Sequence, residues 1–430
     1  MTAIYPYIFY QNCATMLFEY DGGTPFHLYV KACFKENKNW GSKDRKRYRT
    51  ACYFFWRNAY GVSRQSPEII LQWLQTHFTT AVGNQNLNIP TSNNTPSIKQ
   101  SETIANPTDK SNRTVNTEST PPKSPKSNRI DSGESNQADN PESNKNYSPY
   151  QSLSQYLSQT ITTEILTPWF TSEPLVWLSN GNISLKGLQT QLTKAGIAIE
   201  QTQGNAIAVS AQVNLNPWVE NGNAYIQDIS SQTAMDWSNQ PMAVYCHANT
   251  ALWDCCAGAG GKSISLLKQF PTTNLTCSDV RSNILENLKQ RFQLLGLKQP
   301  TVFTASLNGY IDNSNSKNPN QTYHVILADV PCTGSGTWRR NPENIHFFDS
   351  TTIKTFAEKQ FSIIQNVLPS LAIGGYLVYL TCSVFAAENE NTIQQLLDNH
   401  DNLQLISEEF CGGIDIHGDF IYRCIIQKVN

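Results

Sequence analysis

The sequence is short of charge, of apolar mass and of paired cysteine motifs. Charged residues make up 15% of its 430 residues and hydrophobic residues 39%, against the usual ~25% and ~45–50%. Uncharged polar residues must therefore dilute both. A formal net charge of -2 and a pI near 6.4 exclude a protein that coats nucleic acid through bulk charge, so a nucleic-acid role would need a local basic patch. None of the 11 cysteines forms a Cys-x-x-Cys pair or a Cys/His run with zinc-finger spacing. That odd, unpatterned set argues against a disulfide framework and a structural metal, and predicts reduced thiols in a cytoplasm. No apolar run reaches about 18 residues. Met1 to Tyr20 carries no Lys or Arg ahead of its apolar residues and is broken by Pro6, Gln11 and Asn12, unlike a signal peptide. The expectation is a soluble, cytoplasmic protein without membrane or metal partners.

At roughly 100–200 residues per domain, the length predicts two to three domains. The diluting polar mass lies at 83–147, where TSNNTPSIKQ and PPKSPKSNRI are rich in Asn, Ser, Thr and Pro. Such a segment buries too little apolar area to offset ~1–2 kcal/mol of backbone entropy per residue, which predicts a disordered linker. Residues 1–82 show apolar spacing of helical period in FHLYVKACF, ACYFFWRNAYG and PEIILQWLQTHF, predicting a small helical domain. Within it Lys43, Arg45, Lys46, Arg47 and Arg49 place five positive charges in seven residues. That run is either an RNA-binding face or a solvated helix start. Residues 148–222 read as a small α+β unit. From 223 to 430 strands alternate with helices, as in ALWDCC, GKSISLLKQF, NLTCSD, HVILADV and YLVYLTC. This alternation predicts an α/β fold with a mostly parallel, doubly wound sheet, whose ligands sit at the carboxyl ends of the strands.

Four clusters fall at those ends. The first, Asp254-Cys-Cys-Ala-Gly-Ala-Gly-Gly-Lys262, joins a strand to a helix with glycines that let backbone approach a ligand. It is not a P-loop, because Cys256 stands where the first Gly is needed. Nor is it a dinucleotide fingerprint, because Ser263 replaces the third Gly. A nucleoside that need not carry phosphate remains. Asp279, 25 residues after Asp254, is placed to accept both ribose hydroxyls, or to cap the following helix. The third cluster runs from Asp329 through Pro331-Cys332 to Arg339-Arg340, where Asp329 could accept from an amino group and the arginines could pair with phosphates. The fourth, Gly374-Gly-Tyr-Leu-Val-Tyr-Leu-Thr-Cys382-Ser383, brings a second thiol to the same crevice. A buried strand-end thiol is commonly inert packing; two together suggest a nucleophile with a partner that moves a proton.

Taken in order, these motifs resemble the RNA cytosine-5 methyltransferase family, specifically its Sun-type ribosomal RNA enzymes. The resemblance covers about 148–430, including Gln227-Asp-Ile-Ser-Ser-Gln232 ahead of the catalytic domain. More weakly, residues 1–82 look like a NusB-like RNA-binding domain. The resemblance implies a Rossmann-like domain using S-adenosyl-L-methionine, with Cys256, Ala257, Gly258, Ala259, Gly260, Gly261, Lys262, Asp279, Ser306 and Asp329 at the cofactor. It implies that Cys382 attacks carbon 6 of cytosine and that Cys332 assists release of the product. RNA, ribosomal in the first place, is the implied partner, contacted by Arg339, Arg340, Lys43, Arg45, Lys46 and Arg47. The sequence departs from the family in Gly258-Ala259 for Ala-Pro, in Ser306 or Ala305 for an acid, and in Leu178-Ser-Asn180 for Arg-x-Asn. A transfer-RNA enzyme of the same chemistry and a noncatalytic assembly factor that kept the fold are the alternatives.

Overall fold

The computed structural model describes residues 7–82, 149–307 and 321–430; the linker read at 83–147 lies outside the described residues. The N-terminal domain comprises α1 (Tyr7–Glu19), α2 (Phe26–Glu36), α3 (Ser42–Asn58) and α4 (Pro67–Val82). Buried Tyr48, Ala51, Cys52, Phe55 and Trp56 fall on one stripe of α3, at the 3–4 residue spacing a helix needs to bury one face. Trp40 packs on Tyr48 with ring centroids 4.2 Å apart, and buried Asn12 is satisfied by donating to the Tyr48 hydroxyl at 3.0 Å. Asp44 accepts the Gly41 N–H at 3.1 Å, placing a negative charge where the helix dipole favours it. The basic run thereby occupies the first turns of α3.

Next come α5 (Thr163–Thr171), β1 (Leu175–Asn180), α6 (Leu185–Lys194), β2 (Gln201–Gln203), β3 (Ala206–Ser210), α7 (Asn216–Val219) and β4 (Ala224–Ile226). The strands form an antiparallel sheet ordered β2-β3-β1-β4. Two expectations change here. The small sheet extends past 222, because β4 pairs with β1 from Ala224 to Ile226. The segment 149–171 belongs by packing to the large domain, since Tyr150, Leu153, Ile161, Leu166, Trp169 and Phe170 cluster with Trp338, Ile345, Val384 and Phe385. Leu178 lies in the small domain's core, and Asn180 donates to the Ile183 carbonyl at 3.1 Å.

The large domain contains α8 (Ile229–Ala234), β5 (Ala251–Asp254), α9 (Gly261–Gln269), β6 (Asn274–Asp279), α10 (Ser282–Leu294), β7 (Thr301–Thr304), β8 (Tyr323–Asp329), α11 (Thr351–Val367), β9 (Leu371–Thr381), α12 (Glu390–Asp398), β10 (Leu403–Gly412) and β11 (Phe420–Lys428). Its sheet runs β10-β11-β9-β8-β5-β6-β7. The five strands β9 to β7 are parallel, as the alternation predicts. A parallel strand covered on both faces needs a continuous apolar run, and β8 supplies Val325-Ile-Leu-Ala328, all buried. The chain moves one way from β5 to β6 and β7 and the other way to β8 and β9, so the strand order reverses between β5 and β8. That switch point is where a doubly wound sheet opens a ligand crevice. The antiparallel pair β10 and β11 beyond β9 was not expected from the sequence.

Candidate active site

Asp254 ends β5 with 1% of its surface exposed. It accepts from Ser263 Oγ at 2.5 Å, which ties the strand to the first turn of α9. Burial pushes its carboxyl up to about 7, Asp329 nearby adding to the rise and Ser263 opposing it. Between them the loop turns at Gly260, whose φ of 78° favours glycine and where a Cβ would come within 2.8 Å of Leu288 and 2.9 Å of Phe292. Ala257 N–H donates to the Ser278 carbonyl at 2.8 Å, and the Ala259 carbonyl accepts from Arg291 at 2.7 Å. Gln227 braces the helix start by donating to the Gly261 carbonyl at 3.1 Å and accepting from Ser265 at 2.6 Å. Gln227, at the head of the 227–232 segment, thus buttresses α9.

Asp279 ends β6 beside this loop and accepts the Gly258 N–H at 3.0 Å. It also accepts from the Arg281 N–H at 2.9 Å, and its two oxygens take Arg281 Nε and Nη2 at 3.0 and 3.2 Å. Burial alone would raise its pKa, but the Arg281 hydrogen bonds and charge outweigh it and hold the carboxyl below its ordinary range. The helix-cap reading does not hold, because the N-cap of α10 is Arg281 and no side chain caps it; Asp279 instead ties the Gly-rich loop to the end of β6. Arg281 is largely exposed, so its guanidinium is the displaceable one of these partners. Ser306 lies exposed just beyond β7. Its neighbour Ala305 donates its N–H to the Asp279 carbonyl at 3.1 Å.

Across the switch point Asp329, at the end of β8, accepts from Lys262 Nζ at 2.7 Å. Burial would lower the ammonium's pKa, yet Asp329 outweighs it and the net direction is up. The pair stands beside the thiols, Cys382 being among the groups that act on the ammonium. In the β8–β9 register Asp329 faces Leu380, so the turns after both strands project side by side. Cys332 Sγ and Cys382 Sγ are 3.0 Å apart, and the Cys382 N–H donates to Cys332 Sγ at 3.3 Å. The contact with Cys382 and then burial push the Cys332 thiol well up, with the Glu388 charge adding to the rise, so Cys332 holds its proton. The structure brings together the thiols and Asp329 with Lys262, beside the Gly-rich loop and Asp279.

Glu388, in the turn after β9, was not read from the sequence; the only signal was its place a few residues past Cys382-Ser383. It is fully buried. It accepts from the Thr333 N–H at 2.9 Å, Thr333 Oγ1 at 2.6 Å, Ser383 Oγ at 2.6 Å and Gln360 Nε2 at 3.0 Å.

The basic residues separate into two groups. Arg339 is wholly buried, donates to the His417 carbonyl at 2.7 Å and lies over the Trp169 ring at 5.6 Å. Its expected phosphate contact is therefore corrected, because the guanidinium is buried inside the protein. Arg340 pairs with Asp419 at 2.6 Å and keeps about half its side chain exposed, 47%; Asp419, buried beneath it, competes with any phosphate. In α3, Lys43, Arg45, Lys46 and Arg49 are exposed, while Arg47 is half-buried and near Asp44 at 3.6 Å. Arg45 also donates to the Trp40 carbonyl at 2.9 Å. The other face of α3 docks on the large domain: Arg57 donates to the Arg339 carbonyl at 3.3 Å, and His346 Nε2 lies 2.8 Å from the Trp56 carbonyl. Among the described residues no helix is long and apolar enough to cross a membrane, and no three His, Cys, Asp or Glu side chains gather as a metal site.

A five-stranded parallel core reversing at β5 and β8, with a Gly-rich turn after the first strand and an acid ending the second, defines a Rossmann-like, doubly wound fold. NSun6 from Pyrococcus horikoshii, solved with SFG, shares that fold at a TM-score of 0.52 and 15% identity, over 62% of this chain and 94% of that one. Residues 241–424 match the model of the family described as 16S rRNA methyltransferase RsmB/F. Ribosomal RNA small subunit methyltransferase B of Shewanella oneidensis is 30% identical over 229 residues, 52% of this chain and 51% of that protein. The probable ribosomal RNA small subunit methyltransferase B of Coxiella burnetii is 27% identical over 243 residues, 56% and 52% respectively. The chain thus spans about half the length of the curated relatives it matches.

Proposed function

We propose that the protein transfers a methyl group from S-adenosyl-L-methionine to carbon 5 of a cytosine in small-subunit ribosomal RNA. The observation that carries this is the pair of thiols at 3.0 Å on adjacent turns of a methyltransferase domain. Carbon 5 of cytosine is too poor a nucleophile to take a methyl group unaided. A thiolate of Cys382 adding to carbon 6 makes carbon 5 enamine-like, and after methylation the carbon 5 proton passes to water while its bonding pair re-forms the 5,6 double bond and expels the Cys382 thiolate. Cys332, within reach of Cys382, assists that release. The RNA base reaches the crevice by flipping out of its stack.

The cofactor fits the residues present. A Cβ at Gly261 would meet nothing within 4 Å, which leaves open space along the loop after β5. Asp279 lies against the same loop through the Gly258 N–H, and the ribose hydroxyls of the cofactor would take the place of the Arg281 donors. When bound, S-adenosylmethionine supplies an electrophilic methyl group. This chain's own part is to seat the nucleoside between Gly258, Gly261 and Asp279, and to hold Asp329 and Lys262 beside the thiols. The small-subunit substrate is supported by the names of the family model and the relatives, and an exposed basic run on α3 supports an RNA contact by the first domain. Bisulfite sequencing of ribosomal and transfer RNA from cells with and without the protein tests this. One small-subunit cytosine should lose protection when the protein is absent. Loss confined to transfer RNA would transfer the assignment there, and no loss would favour a noncatalytic factor.

A further inference from the structure

The reaction proposed above leaves unused a fully buried carboxylate, that of Glu388. Each of its oxygens takes two donors: Oε1 from Thr333 Oγ1 and Ser383 Oγ, Oε2 from the Thr333 N–H and Gln360 Nε2. Four donors fill the acceptor capacity of one ionised carboxylate. Thr333 follows Cys332 and Ser383 follows Cys382, so one side chain grips the residue next to each thiol.

The grip is itself anchored. Gln360 of α11 also donates to the Pro331 carbonyl at 3.0 Å. Tyr379 of β9 donates to Gln360 Oε1 at 3.1 Å and to the Glu388 carbonyl at 2.6 Å. Asn389 accepts from Thr381 at 2.6 Å and donates to the Ser383 carbonyl at 2.9 Å. Both thiols lie in turns beyond their strands, where the β8–β9 ladder has ended and the backbones meet through the Gly336 N–H bond to the Cys382 carbonyl at 2.9 Å. In a low-dielectric interior, a fully satisfied network of this kind rigidifies what it connects.

We infer that Glu388 is a positioning residue that latches the two turns together and so sets the contact distance of Cys332 and Cys382. The inference deepens the proposed methyl transfer and, as a statement about catalysis, rests on it. The spacing itself is measurable without that reaction. In the full chain, diamide takes two electrons and two protons from the thiols, forming a Cys332–Cys382 disulfide as its N=N bond becomes a hydrazine, and peptide mass spectrometry follows the linked pair over time.

Glu388→Ala should slow formation of that pair at least tenfold. Glu388→Gln should stay within threefold of the native rate, because its carbonyl can accept the two N–H donors while its amide faces hydroxyls that can rotate to accept. The double variant Thr333→Val, Ser383→Ala keeps Glu388 and removes its two hydroxyl donors together with their contacts to Ser335 and the Phe385 N–H; it too should crosslink several-fold more slowly, and native rates there overturn the latch if Glu388→Ala does not fold. In methylation, Glu388→Ala should lower kcat at least tenfold with the cofactor KM unchanged. Native crosslinking rates in Glu388→Ala, or in the double variant where that one does not fold, would overturn the latch. Absence of methylation in the native protein would instead overturn the proposed reaction, and the crosslinking rates would still decide the latch.

Discussion

Asp254→Asn replaces a carboxyl that burial holds up to about 7 with an isosteric group that does not titrate. In the unfolded chain the ordinary value is 3.8. Between these two values the unfolded state has lost its proton while the folded state still binds it, so stability falls as pH rises through the window. About three pH units at roughly 1.4 kcal/mol each give a full penalty of up to about 4 kcal/mol. Roughly 1.7 kcal/mol of it has accumulated by pH 5, so some 2.5 kcal/mol remains to appear between pH 5 and pH 8. The variant escapes this penalty and keeps an oxygen for Ser263 Oγ. Thermal melts of both proteins at the two pH values, taken as a difference of midpoints, cancel the other titrating groups. At roughly 2–4 °C per kcal/mol for a domain of this size, the variant should gain about 5–10 °C on the native protein from pH 5 to pH 8. A difference that does not change with pH would refute the buried, proton-holding carboxyl.

Arg339→Ala should lower the melting midpoint, at a cost of about 2–4 kcal/mol for removing a buried, hydrogen-bonded charge, while leaving the salt dependence of RNA binding unchanged; a shallower salt dependence would return Arg339 to the RNA. Lys43→Ala with Lys46→Ala should reduce the slope of log affinity against log salt by up to about 2, measured by filter binding with ribosomal RNA, if both lysines meet phosphates. An unchanged slope would make the run a solvated helix start. Arg281→Ala frees the Asp279 oxygens and should tighten S-adenosylmethionine binding several-fold by calorimetry; weaker binding would mean that Arg281 itself holds the cofactor.

The parallel core was legible because its signals are local. β8 is a continuous apolar run, and the Gly-rich turn, Asp279, Cys332 and Cys382 each stand at a strand end that periodicity locates. β10 and β11 escaped because Leu403–Gly412 is largely exposed and lacks a buried alternating face, and because buried Arg423 interrupts the β11 run; that guanidinium donates to Glu409 and the Ala234 carbonyl, neither adjacent in sequence. Arg339 was misplaced for the same kind of reason. A Gly-rich turn ending in two arginines reads as surface, and only the fold brings the His417 carbonyl and Trp169 around it. Glu388 was missed because its importance lies in four donors from three separate segments. The β4 boundary was missed because a three-residue strand has no period to detect.

The covalent role of the thiols is the central claim, and RNA adducts of the Cys variants test it most directly. With S-adenosylmethionine and ribosomal RNA containing the target cytosine, Cys332→Ala should accumulate a protein–RNA adduct that survives denaturing electrophoresis. Cys382→Ala should give neither adduct nor 5-methylcytosine. Full methylation by Cys382→Ala would contradict the account.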